Sequence, residues 1–366
     1  MTGHPGSIRR MFAGGNSSSG FHSFYDQIVK ADASRVFLLK GGPGVGKSTF
    51  MQQISDTMRQ KGYGLEYYHC SSDPDSLDAL VIPELQTALI DGTAPHVVDP
   101  KNPGVVEEIL NLGQFWNESG LRKNKDRIIE LNGEIKECFT RAYTYLRLTG
   151  EIYRYLLALR QKQVRPEVIS ALGAEIRAEI FPRGNLPAHT FCTEHRKMFA
   201  SAITPKGPVH HLEALFPTGE EGGKIFVLDG PPGSGKELIL ERMLAAAVEK
   251  GYRTETFHCP LLPEKPEHLW LPQLRTGIIS AHHPHQYTPP GAKVIDLTPL
   301  LRPADQSAEE AAREAQAVYE DLLPRAVGWL QRAKSLHDQL EAYYIPHMDF
   351  AGIEELRRET LAKILR

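Results

Sequence analysis

The chain has 366 residues, 41% of them hydrophobic and 24% charged, with a formal net charge of −3. That length predicts at least two domains whose cores need no disulfide or metal to hold them. The near-neutral charge excludes the strongly basic footprint of a dedicated nucleic-acid binder, so no nucleic-acid partner is expected.

The opening residues MTGHPGSIRRMF carry no apolar leader core, and no apolar run approaches a membrane span. The expected setting is the cytoplasm, with no membrane partner. Gly14-Gly15-Asn16-Ser17-Ser18-Ser19-Gly20-Phe21 reads either as a hairpin turn or as a glycine-rich loop that closes over whatever the next motif binds. That motif is Gly41-Gly42-Pro43-Gly44-Val45-Gly46-Lys47-Ser48, entered from the apolar strand Val36 to Leu39 and followed by a helical stretch from Thr49. Strand, glycine loop and helix in this order form an anion cradle: successive loop amides and the helix N-terminus face a phosphate chain. Lys47 would reach its terminal phosphates, and the Ser48 hydroxyl would ligate Mg²⁺.

A second strand ends at His69-Cys70. Asp73 beyond it is a candidate general base or water positioner, although an aspartate capping a turn before a helix at Ser76 explains it as well. Ala88-Leu89-Ile90-Asp91 is an apolar run ending in a carboxylate, the partner such a loop needs for the metal; Val97-Val98-Asp99 is the weaker rival. Arg122, Lys123 and Lys125 open a helical arm, either as a lid over phosphates or as a solvated helix start. The arm is expected over 128–159, with a heptad-like seam broken at Thr149-Gly150. Asn124-Lys125-Asp126-Arg127 places its aspartate one residue too early for a guanine reader, which favours ATP over GTP. A boundary falls in the Pro-, Gly- and Asn-rich segment 181–193.

The second half repeats the first. Ile225 to Leu228 leads into Gly230-Pro231-Pro232-Gly233-Ser234-Gly235-Lys236-Glu237, and the offset of 189 positions between Lys47 and Lys236 then holds for about fifty residues. It pairs His69-Cys70 with His258-Cys259, Pro83 with Pro272, and Pro95-His96 with Pro284-His285; upstream, Met11-Phe12-Ala13 pairs with Met198-Phe199-Ala200 after a two-residue slip. Under this offset Ser48 becomes Glu237 and Asp91 becomes Ser280, so both expected metal ligands are replaced while Gly233, Ser234, Gly235 and Lys236 keep the loop. The second loop is therefore not expected to hydrolyse a nucleotide; Gly233, Ser234, Gly235 and Lys236 are expected either to bind one weakly, or another anion, in a regulatory role, or to serve only as a scaffold. A second arm opens with Ser307 and Glu310 as a capping box and carries Pro324 as a kink; Arg325-Ala326 in it pairs with Arg141-Ala142. Four scattered cysteines (Cys70, Cys138, Cys192, Cys259) suggest no zinc ribbon or disulfide framework, and the histidines at 282, 283 and 285 read as solvated rather than metal-binding.

GGNSSSGF, KGGPGVGKST, IDGTAPHVVDP, SAITPKGP and YYIPHMDF together resemble a bacterial family of tandem P-loop ATP-binding proteins, and they spread over nearly the whole chain. The resemblance implies ATP and the P-loop NTPase fold, and leaves substrate and role open. The expected fold class is α/β, a tandem duplication of a P-loop NTPase domain. Each copy has a parallel sheet flanked by helices and a long helical arm, over residues 1–185 and 186–366. The expected activity is an Mg²⁺-dependent ATPase acting as a nucleotide-driven switch, with its site in the first half. Gly41 to Thr49 hold the nucleotide, Ser48 and Asp91 the metal, and Lys47, Asp91 and Asp73 do the chemistry. The alternatives are a small-molecule or nucleotide kinase, and an ATP-binding adaptor whose arms engage a protein partner.

Overall fold

Two six-stranded sheets, one in each half, organise the chain. The computed structural model describes residues 5–29, 32–94, 97–181, 194–217, 223–282 and 286–366. Cys192, the 95–96 and 284–285 pair, His283 and nearly all of the 181–193 boundary lie outside them. The first half contains β1 (Ile8–Met11), β2 (Gly14–Ser17), β3 (Gly20–Ser23), β4 (Arg35–Lys40), α1 (Lys47–Gln60), β5 (Leu65–His69), β6 (Leu77–Ile82), β7 (Thr87–Asp91) and β8 (Glu107–Asn111). Its helices continue with α2 (Glu118–Arg122), α3 (Lys125–Gln161) and α4 (Pro166–Ile180). The second half runs β9 (His195–Met198), β10 (Ser201–Thr204), β11 (Gly207–His210), α5 (Leu212–Leu215), β12 (Lys224–Asp229) and α6 (Lys236–Glu249). It ends with β13 (Thr254–His258), β14 (Pro266–Leu271), β15 (Thr276–Ala281), β16 (Lys293–Asp296), α7 (Gln306–Tyr344) and α8 (Phe350–Ile364).

The strand orders match: β1-β5-β6-β7-β4-β8 in one sheet, β9-β13-β14-β15-β12-β16 in the other. The sheets are mixed rather than wholly parallel, because β6 and β14 run antiparallel to both neighbours. The reason is connection length. The links at 70–76 and 83–86 are far shorter than the dozen or so residues a parallel crossover needs, so each strand must fold straight back. For the same reason Ser76 opens no helix; β6 begins at Leu77.

Alternation along the strands sets the layers. Val36 and Leu38 on β4 join Val227 and Ile225 of β12 in one core that runs between the sheets. Phe37 and Leu39 face the other way, onto α1. On the axis between the halves, Phe12 and Phe199 exchange backbone hydrogen bonds of 2.9 and 3.0 Å. Beside them Arg196 reaches Glu66 at 2.9 Å and Glu255 at 3.2 Å, while Arg9 reaches the same two carboxylates at 3.0 and 2.5 Å. The Gly14–Phe21 stretch is a hairpin that crosses to the other half, where Asn16 donates to the Ile203 carbonyl and Ser18 N–H to that of Leu261.

The arms α3 and α7 pack antiparallel. Leu131 and Cys138 near the start of α3 meet Leu336 and Leu340 near the end of α7, and Tyr153 meets Tyr319 at the other end with ring centroids 5.5 Å apart. Contrary to expectation α3 is unbroken at Thr149-Gly150. Gly150 instead lies close against the Ser18 hairpin, where an added Cβ would stand 2.4 Å from the Ser18 Cβ. The second arm is capped by Asp305, which accepts from Ala308 N–H at 2.8 Å, rather than by Ser307, and α7 continues through Pro324.

Each arm ends on the opposite half. Ile353 and Ile364 of α8 complete the core under α1, and Ile169, Ile176 and Ile180 of α4 complete that under α6. Among the described residues no helix is long and apolar enough to cross a membrane.

Candidate functional site: two unequal glycine loops

Both glycine loops sit between a strand and a helix at the carboxyl edge of their sheets, where open α/β sheets bind ligands. In the first, Gly44 (φ +67°) and Gly46 (φ +83°) adopt left-handed backbone, and Gly46 caps α1. These are backbone conformations that glycine adopts without strain and that an anion cradle of successive amides uses. Val45 anchors the loop in the core, Pro43 lies partly exposed and Thr49 points to solvent. Lys47, the first residue of α1, folds over the cradle. Its Nζ donates to the Gly41 and Gly42 carbonyls at 3.2 and 2.9 Å and lies 3.6 Å from Asp91 Oδ2.

Asp91 ends β7, which pairs directly with the loop strand so that Asp91 stands opposite Leu39. Its Oδ1 accepts from Thr93 N–H and Oγ1 at 2.9 and 2.5 Å, leaving Oδ2 towards Lys47. The rival Asp99 is exposed and pairs with Lys40 instead. The Ser48 hydroxyl accepts from Leu77 N–H at 3.0 Å, which fixes its oxygen at the start of α1. Loop amides, an ammonium, a hydroxyl and a carboxylate are a donor set suited to phosphates with a hard divalent cation.

Sequence reasoning did not find what covers this loop, because it comes from the far end of the other half's arm. Glu341 of α7 accepts from Gly44 N–H at 3.2 Å through Oε1. Tyr344 and Trp116 flank Gly42, and Phe350 lies against Gly46. Asp73 also meets that arm. Its Oδ2 accepts from Ser76 Oγ at 3.0 Å and pairs with Lys334 at 3.5 Å, so it closes a turn and contacts α7. The lid candidate Arg122 pairs with Glu118 on its own exposed turn.

The second loop repeats the two left-handed glycines, with Gly233 and Gly235 at φ +83° and +93°, although Gly230 also has a positive φ (+144°) where Gly41 does not, and its environment differs. Lys236 is only 2% exposed, and its Nζ donates to the Gly230 carbonyl and, at 3.0 Å, to that of Ala281. Burial, with Lys265 nearby, lowers its pKa to about 8. Ser234 is fully buried, and Gly233 is so tightly covered by α3 that an added Cβ would lie 2.8 Å from the Leu157 carbonyl. Glu237, which replaces the hydroxyl, is half-buried; its Oε1 accepts from Gln161 Nε2 at 3.4 Å and its Oε2 is buried without a hydrogen-bond partner. Ser280 is buried in β15, with its N–H on His268. Below the loop, His282 is also buried and bonds Glu267 at 3.1 Å.

The family model described as "Nephrocystin 3, N-terminal" matches residues 21–84, from β3 through the first loop and α1 to the end of β6. That is less than half of the chain. No curated protein and no solved structure matches the chain.

Proposed function

We propose that the chain is an Mg²⁺-dependent ATP-binding protein that hydrolyses ATP at the first loop and uses the nucleotide as a switch. The observation that carries this is the Gly44 amide. It already holds a carboxylate oxygen at 3.2 Å, beside an ammonium and a carboxylate 3.6 Å apart. An amide that donates to one anionic oxygen can donate to another. In this reading the amides of Gly44 to Thr49 and the Lys47 ammonium hold the phosphates, and Ser48 and Asp91 hold the metal. Mg²⁺ supplies charge neutralisation between the phosphates, and the chain supplies position.

We read the two halves as a tandem duplication of a P-loop NTPase domain. Matching strand orders support this, as do equivalent details outside the loops. His69 and His258 bond the Pro74 and Pro263 carbonyls at 2.9 and 2.7 Å, and Gln86 and Arg275 share a left-handed turn at φ +48° and +46°. The duplicated units are 1–185 and 186–366 with their arm tails exchanged, and the second loop acts as a closed scaffold.

One observation favours a second reading, the adaptor with negligible turnover: Asp73, the residue available to position water, is engaged by Ser76 and Lys334. Steady-state phosphate release from Mg-ATP separates the two. The ATPase reading predicts turnover that Lys47→Ala abolishes and Lys236→Ala leaves intact; turnover no higher in wild type than in Lys47→Ala refutes it and leaves the adaptor.

A further inference from the structure

The two loops are capped by the same turn of opposite arms, but with different side chains. Extending the Arg141 to Arg325 pairing along the arms, an offset of 184 positions, matches Leu157 with Glu341. The packing agrees. The Leu157 carbonyl lies 2.8 Å from where a Cβ on Gly233 would stand, and the Glu341 carbonyl lies 3.3 Å from the equivalent point on Gly44. The backbones therefore cap equivalent glycines in equivalent ways. Over the second loop the equivalent residue is Leu157, whose apolar side chain is buried in the core between the arms. Over the first the cap presents a carboxylate, and that carboxylate takes the loop amide.

A loop amide has one proton to donate, so a carboxylate oxygen on Gly44 and a phosphate oxygen compete for it. We infer that Glu341 is an internal anion that competes with nucleotide phosphates for the first loop, and that nucleotide binding expels it and frees the end of α7. The inference rests on reading the first loop as the nucleotide site. His337 Nδ1 lies 3.7 Å from the Glu341 carboxylate on the same helix face, and both side chains stay partly exposed.

The displaced turn is tied to the rest of the molecule. Tyr344, one turn on, packs on Trp116 with ring centroids 6.3 Å apart. The backbone between α7 and α8 is clamped to the first half, with Asn117 N–H on the His347 carbonyl at 2.7 Å and Asp349 N–H on that of Phe115 at 2.8 Å. Expelling Glu341 thus loads a segment that continues into both α7 and the core-covering α8. A ligand shifts such an equilibrium only by its differential affinity, so the contact must weaken nucleotide binding by the reciprocal of the fraction of time it is not made.

The test is calorimetric titration of the full-length chain with Mg-ATP, using wild type, Glu341→Gln, Glu341→Ala and Lys47→Ala, with a thermal melt of each to establish folding. Both Glu341 variants are expected to bind at least about fivefold more tightly than wild type, and Lys47→Ala not at all. Wild-type tryptophan emission should change on saturation, and Trp116→Phe should remove that change. Wild-type affinity in both Glu341 variants, with binding lost in Lys47→Ala, overturns the inference and leaves the nucleotide site standing. Weaker binding in both would make Glu341 part of the nucleotide's grip, which also overturns it. Binding by none of the folded proteins removes the nucleotide reading and this inference together.

Discussion

At the scale of single residues, the interface between the halves concentrates charge that water would normally solvate. Arg196 is 4% exposed and serves both Glu66 and Glu255. Burial raises the Glu66 pKa, but the ion pairs with Arg196 and Arg9 outweigh this and hold it at about 2. Removing one partner from such a group strands the remaining charges, which typically costs about 3–5 kcal/mol. Arg196→Met should approach that cost in urea unfolding at neutral pH, and Arg9→Met, whose side chain is 27% exposed, should cost clearly less. Equal losses would contradict this account of the network. The histidines at the same interface have the opposite preference. Burial and the nearby Arg10 lower His69 to about 4; burial, then His69, Arg10 and His210, lower His211 to about 3. Their rings are 4.5 Å apart, with Phe12 stacked on His211 and the Pro74 carbonyl on His69. The folded protein thus binds fewer protons than the unfolded chain below the ordinary histidine pKa of 6.5. The contribution of these two histidines to stability is full above that pH and is lost as the pH falls from there through about 4 for His69 and about 3 for His211. His211→Phe should flatten the loss between pH 6.5 and 5 in chemical denaturation; an unchanged slope would contradict it.

At the scale of elements, one helix offers opposite outcomes for one substitution. Gly133 and Gly150 both lie within α3, and Gly133 has nothing within 4 Å of an added Cβ. Gly133→Ala should therefore stabilise by about 0.5–1 kcal/mol, the helix-propensity gain. Gly150→Ala meets Ser18 at 2.4 Å and should destabilise by about 1–3 kcal/mol through overpacking, despite the same gain. Thermal melts of the two variants compare them directly, and stabilisation by both would refute the close approach. This pair also marks what a sequence discloses. The seam of α3 at Leu131, Cys138, Ala142 and Leu156 was legible because periodicity is local. The purpose of Gly150 was not, since a glycine that admits a neighbour reads the same as one that breaks a helix. The first loop was legible for the same local reason: strand, glycines, lysine and helix are contiguous. Asp91 could be chosen over Asp99 because its apolar run is long enough to be a sheet strand.

At the scale of the whole molecule, the sequence disclosed two similar halves and could not disclose their exchange of arms. The exchange depends on where the Tyr344 to Phe350 segment docks, and a repeat offset carries no such information. Glu341 and Lys334 were invisible as site residues for that reason, although the Arg141 to Arg325 pairing already matched Glu341 to Leu157. The exchange has a thermodynamic consequence. Because α8 completes the core beneath α1 and α4 completes that beneath α6, neither half can unfold and leave the other's core intact. Calorimetric unfolding should show one cooperative transition, with Ile364→Ala and Ile176→Ala each lowering it as a whole. Two separable transitions, each moved by only one substitution, would contradict the exchanged arrangement.

The inequality of the two loops follows from the same packing. One keeps a partly accessible lysine beside Asp91, and the other buries Lys236 under the end of α3. The most direct test of the account is the number of Mg-ATP molecules bound per chain at equilibrium, in wild type, Lys47→Ala and Lys236→Ala. The account predicts one in wild type, none in Lys47→Ala and one in Lys236→Ala. Two in wild type, or one lost with Lys236 and kept without Lys47, would contradict it.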